Sequence, residues 1–324
     1  MPPTPSGPQT SRSMIVVPGV GELPVVSIDS GIPGPVAVLT ANLHGDECTG
    51  VAVVHRLRHL LPELIRCGVV HLYPSLNPGG LREGCRGVPG DDHDPNRLFP
   101  GDANGSMAER LVAAIWQDLL ARKPELLIDL HTDAVRAVPY AILDRVCRGL
   151  GRRGLDARCQ ELAAASGLTV LREYPRPRYL RYNLDRSLPG ALVNGPGIPA
   201  VTLEVGPRRA VDPVAVETAL RAALGVLSLA GVVSAPAPAH PSRVSGGPWR
   251  RESGPRSSQA GVLEVLVEPG RLFPAGELLA RVRSLDGRTI QELSAAEPGF
   301  VVAIPDRCWV PASSAIATLA VRDV

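Results

Sequence analysis

Between Met14 and about Gly231, short apolar runs alternate with helix-length amphipathic segments, and this alternation constrains the fold more than any other feature. Six runs have the length of buried strands: LPVVSI (23–28), PVAVLTA (35–41), VVHLYP (69–74), LLIDLH (126–131), YAIL (140–143) and AVTLEV (200–205). Helical patterns lie between or after them, at 47–61, 106–121, 155–166 and 212–230. Because strands separated by helices usually lie parallel, the sequence predicts an α/β fold with a mixed, largely parallel sheet flanked by helices.

Changes in composition divide the chain into four parts. Residues 1–12 are predicted to be a disordered tail, and residues 13–233 form the α/β part. Residues 234–258 are rich in Pro, Ser, Gly and Arg, which indicates a linker. Short β runs split by turn residues then predict a small all-β barrel or sandwich domain over 259–324. Because this last part contains no lysine, it cannot carry a lysine-attached prosthetic group.

The bulk composition excludes several classes of partner. The net charge of +2, with basic residues spread along the chain, does not favour binding to nucleic acid. No apolar run reaches the roughly 18 residues that span a bilayer, and the first residues lack the apolar segment of a signal peptide. We therefore expect a cytoplasmic protein with no membrane partner. Its six cysteines are dispersed and are expected to be free thiols.

Polar residues follow three of the predicted strands at the points where these strands end. His44 and Glu47 follow the run at 35–41, His131 ends the run at 126–131, and Glu204 lies near the end of the run at 200–205. Ligands of an open α/β sheet collect at the carboxyl ends of its strands, so we expect these side chains to meet.

Two histidines and a carboxylate are a ligand set that suits a catalytic zinc site, which has three protein ligands and one open position. His44 and Glu47 can converge in a turn that enters a helix, and His131 would complete the set. Each residue also has a structural alternative in capping or core hydrogen bonding. Glu204 is more informative, because a carboxylate inside an apolar strand is costly without a partner. We expect it to take a proton from water.

The long loop after the run at 69–74 carries arginines that could bind an oxyanion or a substrate carboxylate. Its acidic stretch DDHD (91–94) fits a solvated loop better than a second metal site. Asp129 lies on the same strand face as His131, so it either orients that ligand or is simply a buried, hydrogen-bonded carboxylate.

The stretches NLHGDECTG, NPGGLREGCRGVPGDDHDPNRLFPG, LIDLHT and VTLEVG resemble successive motifs of the succinylglutamate desuccinylase/aspartoacylase family, zinc hydrolases related to the metallocarboxypeptidases. The resemblance implies one zinc ion per chain, held by His44, Glu47 and His131. It also implies that Glu204 is the general base and acid.

Within the long loop, the resemblance implies a substrate-binding role for Asn96 and Arg97, with Arg97 holding a carboxylate. Arg86 falls where related deacylases place the arginine that polarises the scissile carbonyl, and Arg82 is the alternative. Pro95 stands where the family usually has leucine.

The sequence thus predicts a zinc-dependent amidohydrolase that removes an acyl group from an N-acylated amino acid or a related small molecule. A carboxypeptidase for short peptides and a non-catalytic binding protein are the alternatives. Self-association into a homo-oligomer, through the β domain or otherwise, is left open.

Overall fold

The structure is a computed structural model that describes residues 7–147, 153–241 and 243–323. The strands in these ranges are β1 (Gln9–Val17), β2 (Gly21–Asp29), β3 (Val36–Ala41), β4 (Val69–Tyr73), β5 (Leu126–His131), β6 (Arg136–Ala137), β7 (Tyr140–Leu143), β8 (Thr169–Arg172), β9 (Ala200–Glu204), β10 (Trp249–Ser253), β11 (Gly261–Val265), β12 (Leu272–Phe273), β13 (Leu278–Arg283), β14 (Thr289–Ser294), β15 (Gly299–Ile304), β16 (Trp309–Val310) and β17 (Thr318–Arg322). The helices are α1 (Thr49–Leu64), α2 (Pro78–Glu83), α3 (Met107–Ala121), α4 (Arg153–Ala165), α5 (Arg176–Arg181), α6 (Leu188–Asn194) and α7 (Pro213–Leu229), with 3-10 turns at Pro95–Arg97 and Leu184–Arg186.

One long mixed sheet joins strands from both parts of the chain in the order β1-β2-β4-β3-β5-β9-β7-β8-β10-β17-β15-β12. Its centre, β4-β3-β5-β9, is parallel, and β7 pairs antiparallel with β9. The strands β3 and β5 are buried almost throughout, as expected for strands covered on both faces. The helix α7 contacts both α1 and α4, while α6 packs on β5 and β9.

The predicted mixed α/β sheet is confirmed, and all six predicted strands and four predicted helices are present with small shifts at their ends. Their apolar periodicity explains this agreement, because the buried residues of α1 and α7 form the stripe that faces the core. None of the helices in the described ranges combines the length and apolarity needed to cross a bilayer.

Two segments that were predicted to lack regular structure contain strands. Residues 9–12 of the predicted tail lie in β1, which pairs with β2, while residues 1–6 lie outside the described residues. Residues 249–253 of the predicted linker form β10, which lies between β8 and β17. Both strands are rich in polar residues. Backbone pairing within the sheet determines their structure, so an apolar pattern does not reveal them.

The C-terminal part is all-β, as predicted, and its strands lie in two sheets. The strands β12, β15 and β17 continue the main sheet beyond β10, and β6 pairs with β15. The strands β11, β13, β14 and β16 form a second sheet of four strands. A small core holds the junction together: Phe300 and Trp249 meet edge to face at 5.2 Å, against Val138 and Tyr140.

Because this junction core joins the two parts, we expect Phe300→Ala to lower the free energy of unfolding of the whole chain by about 3–5 kcal/mol. Denaturant titration followed by fluorescence and circular dichroism should show one shifted transition. Leu285→Ala, at a side chain that is 85% exposed, should change stability by less than about 0.5 kcal/mol. Two separate transitions in the Phe300 variant would contradict this coupling.

Candidate metal centre and active-site cavity

The residues His44, Glu47 and His131 converge at one buried point. His44 and Glu47 lie in the turn between β3 and α1, and His131 is the last residue of β5. The Nδ1 atom of His44 lies 2.9 Å from Glu47 Oε1, and the Nδ1 atom of His131 lies 2.8 Å from Glu47 Oε2. One ligand atom from each residue lies within 4.8 Å of the others, so the group could hold a metal ion.

The outer nitrogen of each imidazole faces a carboxylate. The Nε2 atom of His44 lies 3.1 Å from Asp94 Oδ1, and that of His131 lies 2.9 Å from Asp129 Oδ2. The Thr40 hydroxyl donates to Asp129 at 2.7 Å and fixes it. A carboxylate that accepts the Nε2 proton leaves the Nδ1 lone pair directed at the centre. The sequence had suggested that Asp94 belongs to a solvated loop, but its carboxylate contacts a candidate metal ligand instead.

The electrostatics of the centre suit a cation. Burial alone would raise the pKa of Glu47, but His44 and His131 hold that pKa well below its usual range. The pKa of His131 is raised, against the effect of burial, by Asp129 and Glu47. Two imidazole nitrogens and a carboxylate are donors that zinc accepts, and a bound cation would replace the proton charge that now stabilises Glu47.

The turn that carries the first two candidate ligands is fixed by Asn42. This residue has a left-handed φ of 59°, and its amide nitrogen donates to three carbonyl oxygens, those of His44, Gly45 and Glu47, at 3.0–3.1 Å. The Ser75 hydroxyl donates to the Asn42 side-chain oxygen at 2.6 Å. Gly45 is required in this turn, because a Cβ atom there would lie 2.1 Å from the backbone of Gly80.

Glu204 lies beside the candidate metal centre at the end of β9, paired with His131 in the parallel register. Its Oε2 atom is buried and has no hydrogen-bond partner among the described residues. Burial raises the pKa of Glu204 to about 8, although His131 opposes this effect. The side chain lines the same cavity as the three candidate ligands. The volume of this cavity, including its open mouth, is about 580 Å³. Such a carboxyl group can exchange protons near neutral pH.

The two candidate arginines of the long loop differ in position. Arg86 lines the cavity and reaches Glu47 Oε1 at 3.3 Å and Asp94 Oδ2 at 3.1 Å. Arg82 lies in α2, is exposed, and is not among the described residues that line the cavity. The geometry therefore favours Arg86 as the arginine that acts at the centre.

Asn96 and Arg97 both line the cavity, and both lie in a 3-10 turn. Pro95 occupies the first position of this turn, where its fixed φ fits, and the Asp94 side chain accepts from Asn96 N at 2.9 Å. The side-chain oxygen of Asn96 accepts from Leu188 N at 2.8 Å. Arg97 makes no ion pair within the described part of the chain. Asn96 thus has a structural contact that the sequence did not predict.

The cavity floor is one face of the sheet, and sequence reasoning missed part of it. In the registers of β5, β9, β7, β8 and β10, alternate residues share the face of His131 and Glu204. The charged cavity residues that were missed are Asp144, Glu173 and Arg251 on this face and Asp133, two residues after His131. Alternation could have revealed Asp144 and Glu173, because each lies two residues after an inward-facing residue of its strand. Arg208, after β9, was also missed.

The chain is similar in sequence to known proteins. A family model described as the succinylglutamate desuccinylase/aspartoacylase catalytic domain matches residues 33–230. The chain is 32% identical over 125 residues to an N-alpha-acetyl-L-2,4-diaminobutyric acid deacetylase from Halomonas elongata, a match that covers 38% of this chain. It spans only about a third, 36%, of the length of that relative.

Solved structures share the fold at low sequence identity. A succinylglutamate desuccinylase from Silicibacter sp. TM1040 is similar with a TM-score of 0.81 and 20% identity, over 96% of this chain and 94% of that one. A metallo-carboxypeptidase from Burkholderia cenocepacia is similar with a TM-score of 0.55 and 16% identity, over 69% of this chain and 65% of that one. The carboxypeptidase-like fold is therefore confirmed.

Because Asn42 donates to three carbonyl groups of the ligand turn, we expect Asn42→Ala to lower the free energy of unfolding by about 2–4 kcal/mol, from unpaired carbonyls and a strained φ. Thermal unfolding of the purified variant measures this loss. Asn104→Ala, at an exposed loop position, should cost less than about 0.5 kcal/mol. Equal stability of the two variants would show that Asn42 does not hold the turn.

Proposed function

Because the chain belongs to the succinylglutamate desuccinylase/aspartoacylase family, we propose that it is a zinc-dependent amidohydrolase that removes an acyl group from an N-acylated amino acid or a related small molecule. One observation carries the proposal: a buried His–Glu–His group and the unpartnered oxygen of Glu204 face the same cavity. A binding protein without catalysis would not need a carboxyl group kept free beside a metal centre.

In this proposal, His44, Glu47 and His131 hold one zinc ion. A zinc ion held by these residues would supply Lewis-acid charge and lower the pKa of a bound water toward neutrality. Asp129 and Asp94 keep both imidazoles in the tautomer that presents Nδ1 to the ion.

Glu204 moves the protons of the reaction. Its free Oε2 atom takes a proton from the attacking water and later gives it to the leaving nitrogen. The raised pKa, about 8, suits this role, because it makes the carboxylate a stronger base toward the water proton and keeps that proton on Glu204 until the C–N bond breaks. The C–N bond breaks, and a carboxylate and an amine leave.

Arginines bind the substrate in this arrangement. Arg86 donates to the carbonyl oxygen as negative charge develops there, held in place by Glu47 and Asp94. Arg97 has no ion pair within the described part of the chain, so a substrate carboxylate would supply its missing counter-charge. Asn96 fixes the start of α6 through Leu188 and turns its amide group toward the same space.

The Halomonas elongata relative is named a deacetylase of an N-acetylated diamino acid, so N-acetyl amino acids are the first compounds to assay. Dipeptides test the carboxypeptidase alternative. The cytoplasmic location and the self-association remain predictions from the sequence.

The variant Glu204→Gln tests the proposed catalysis. Because the amide keeps the shape but cannot carry the proton, we expect kcat on N-acetyl amino acids to fall by about 10²- to 10⁴-fold. Zinc measured by mass spectrometry should stay at one per chain, whereas His131→Ala should lose both zinc and activity. Glu22→Gln, at an exposed residue, serves as the control. Full activity of Glu204→Gln would reject the mechanism.

The variants Arg86→Lys and Arg82→Lys separate the two candidate arginines. A lysine at 86 keeps the charge but loses the forked donor geometry, so we expect kcat to fall by about 10²- to 10³-fold. The same substitution at Arg82, which lies outside the cavity, should leave kcat and KM near wild type. Zinc content of both proteins confirms that the centre is intact, and the reverse pattern would assign the role to Arg82.

A further inference from the structure

Asp133 is a charged residue of the cavity that the proposed mechanism does not use. It lies two residues after His131, lines the cavity and also borders the two neighbouring grooves. Its Oδ2 atom accepts a hydrogen bond from the Tyr140 hydroxyl at 2.9 Å. Within the described residues it makes no ion pair, and its Oδ1 atom accepts no hydrogen bond. One oxygen of this carboxylate is thus held, while the other is available to a ligand.

The hydrogen bond between Tyr140 and Asp133 crosses the strand that carries Glu204. His131 of β5 and Tyr140 of β7 are the register partners of Glu204 on the two sides of β9. Residues opposite one another on neighbouring strands project from the same face of the sheet, so these three side chains form a row on the cavity side. Because Asp133 follows β5 and is bound from β7, its carboxylate lies over the end of β9, beside Glu204.

Tyr140 is a rigid support for this carboxylate. Its side chain is fully buried and belongs to the junction core, where it packs with Val138 and Phe300. Close packing fixes a buried ring, so its hydroxyl keeps one direction. Burial is the main cause of the raised pKa of Glu204, and the nearby charge of Asp133 adds to it. The two carboxyl groups therefore lie close enough to contact the same part of a substrate.

We propose that Asp133, held by Tyr140, binds the nitrogen of the scissile amide and is a further catalytic residue of the enzyme. This inference rests on the proposed deacylase function. Glu204 must reach the leaving nitrogen to give it a proton, and Asp133 lies beside Glu204. The Oδ1 atom of Asp133 then accepts the N–H of the same amide. The nitrogen is thus placed between the acid that protonates it and a carboxylate that orients it.

The contact with Asp133 becomes stronger as the reaction proceeds. The amide nitrogen is neutral in the substrate, but it becomes positively charged when Glu204 gives it the proton taken from water. Asp133 stabilises this charge until the C–N bond breaks, and it pairs with the ammonium form of the amine afterwards. An interaction that is stronger in the transition state than in the bound substrate raises kcat.

An ester substrate gains nothing from this contact. The leaving atom of an ester is an oxygen that carries no hydrogen, so it cannot donate to Asp133, and its lone pairs face the carboxylate. The other residues of the proposed mechanism, Arg86 and Glu204, act on an ester as they do on an amide. The ratio of amide to ester hydrolysis therefore measures the contribution of Asp133 separately from that of the metal centre.

The variant Asp133→Asn tests the residue on two matched substrates. These are the N-acetyl amino acid that the zinc-loaded wild type hydrolyses best, and the O-acetyl ester of the 2-hydroxy acid with the same side chain. The asparagine oxygen accepts from Tyr140, so its NH2 group faces the substrate and cannot accept the N–H. We expect kcat/KM on the amide to fall by about 10- to 100-fold, as for a lost charged hydrogen bond, and kcat/KM on the ester to change little.

Zinc measured by mass spectrometry should be the same in Asp133→Asn and in the wild type, since Asp133 is not a candidate ligand. Asp286→Asn, in an exposed turn of the C-terminal sheet, is the control and should keep the wild-type ratio of amide to ester hydrolysis. Equal losses of Asp133→Asn on the amide and on the ester would show a purely structural role and overturn the inference.

The variant Tyr140→Phe removes only the hydroxyl that holds Asp133. We expect a selective loss on the amide of about fivefold, as for one neutral hydrogen bond. Tyr73→Phe is the matched control, because Tyr73 is also fully buried and its hydroxyl donates to Asp118 at 2.6 Å, outside the cavity. It should keep the wild-type ratio of amide to ester hydrolysis. The same change of this ratio in both tyrosine variants would contradict the support of Asp133 by Tyr140.

Inhibition by products gives a measurement that needs no hydrolysis of an ester. The free amino acid, with its ammonium group, should inhibit the wild type about tenfold more strongly than the matched 2-hydroxy acid, and Asp133→Asn should remove most of this difference. An unchanged difference in the variant would overturn the inference and leave the deacylase function intact. No hydrolysis of any N-acetyl amino acid by the zinc-loaded wild type would reject the proposed function instead.

Discussion

The buried carboxylate of Glu47 is the constraint on which the site depends. A carboxylate removed from water must be compensated, and here two imidazoles, the Thr132 amide and Arg86 compensate it. Each partner requires a support of its own, which is why Asp129, Asp94 and the Asn42 contacts surround the group. The contacts in and around the turn after β3 therefore stabilise, directly or through a neighbour, the single charge of Glu47.

The continuous sheet connects this centre to the C-terminal part of the chain. The strand β10 pairs with β8 on one side and with β17 on the other, so it joins the two parts. The same strand delivers Arg251 into the cavity, where it binds Glu173. The position of a charged cavity residue thus depends on packing at the junction around Trp249 and Phe300, and the C-terminal part contributes to the site as well as to the fold.

Apolar periodicity was sufficient to predict the buried strands and amphipathic helices. The positions of His44, Glu47, His131 and Glu204 at strand ends were sufficient to predict that these side chains lie close together. The contact of Asp94 with His44 could not be predicted, because it joins residues fifty positions apart through an irregular loop. The strand β10, WRRES, has no apolar alternation, since its inward arginine faces a polar cavity and pairs with an acid. Patterns of hydrophobicity reveal strands that face a core, and they fail where the face is a charged cavity.

The charges around the cavity are mostly paired, and the exceptions define what a ligand must bring. Arg86 pairs with Glu47 and Asp94, and Arg251 pairs with Glu173. Among the described cavity residues, Asp133, Asp144, Arg97 and Arg208 make no ion pair, although Arg97 acts electrostatically on Asp144. Arg208 also lines a neighbouring groove. A charged group without an ion-pair partner in a partly closed cavity is costly, so polar groups of a ligand that pair with these side chains would be stabilised there.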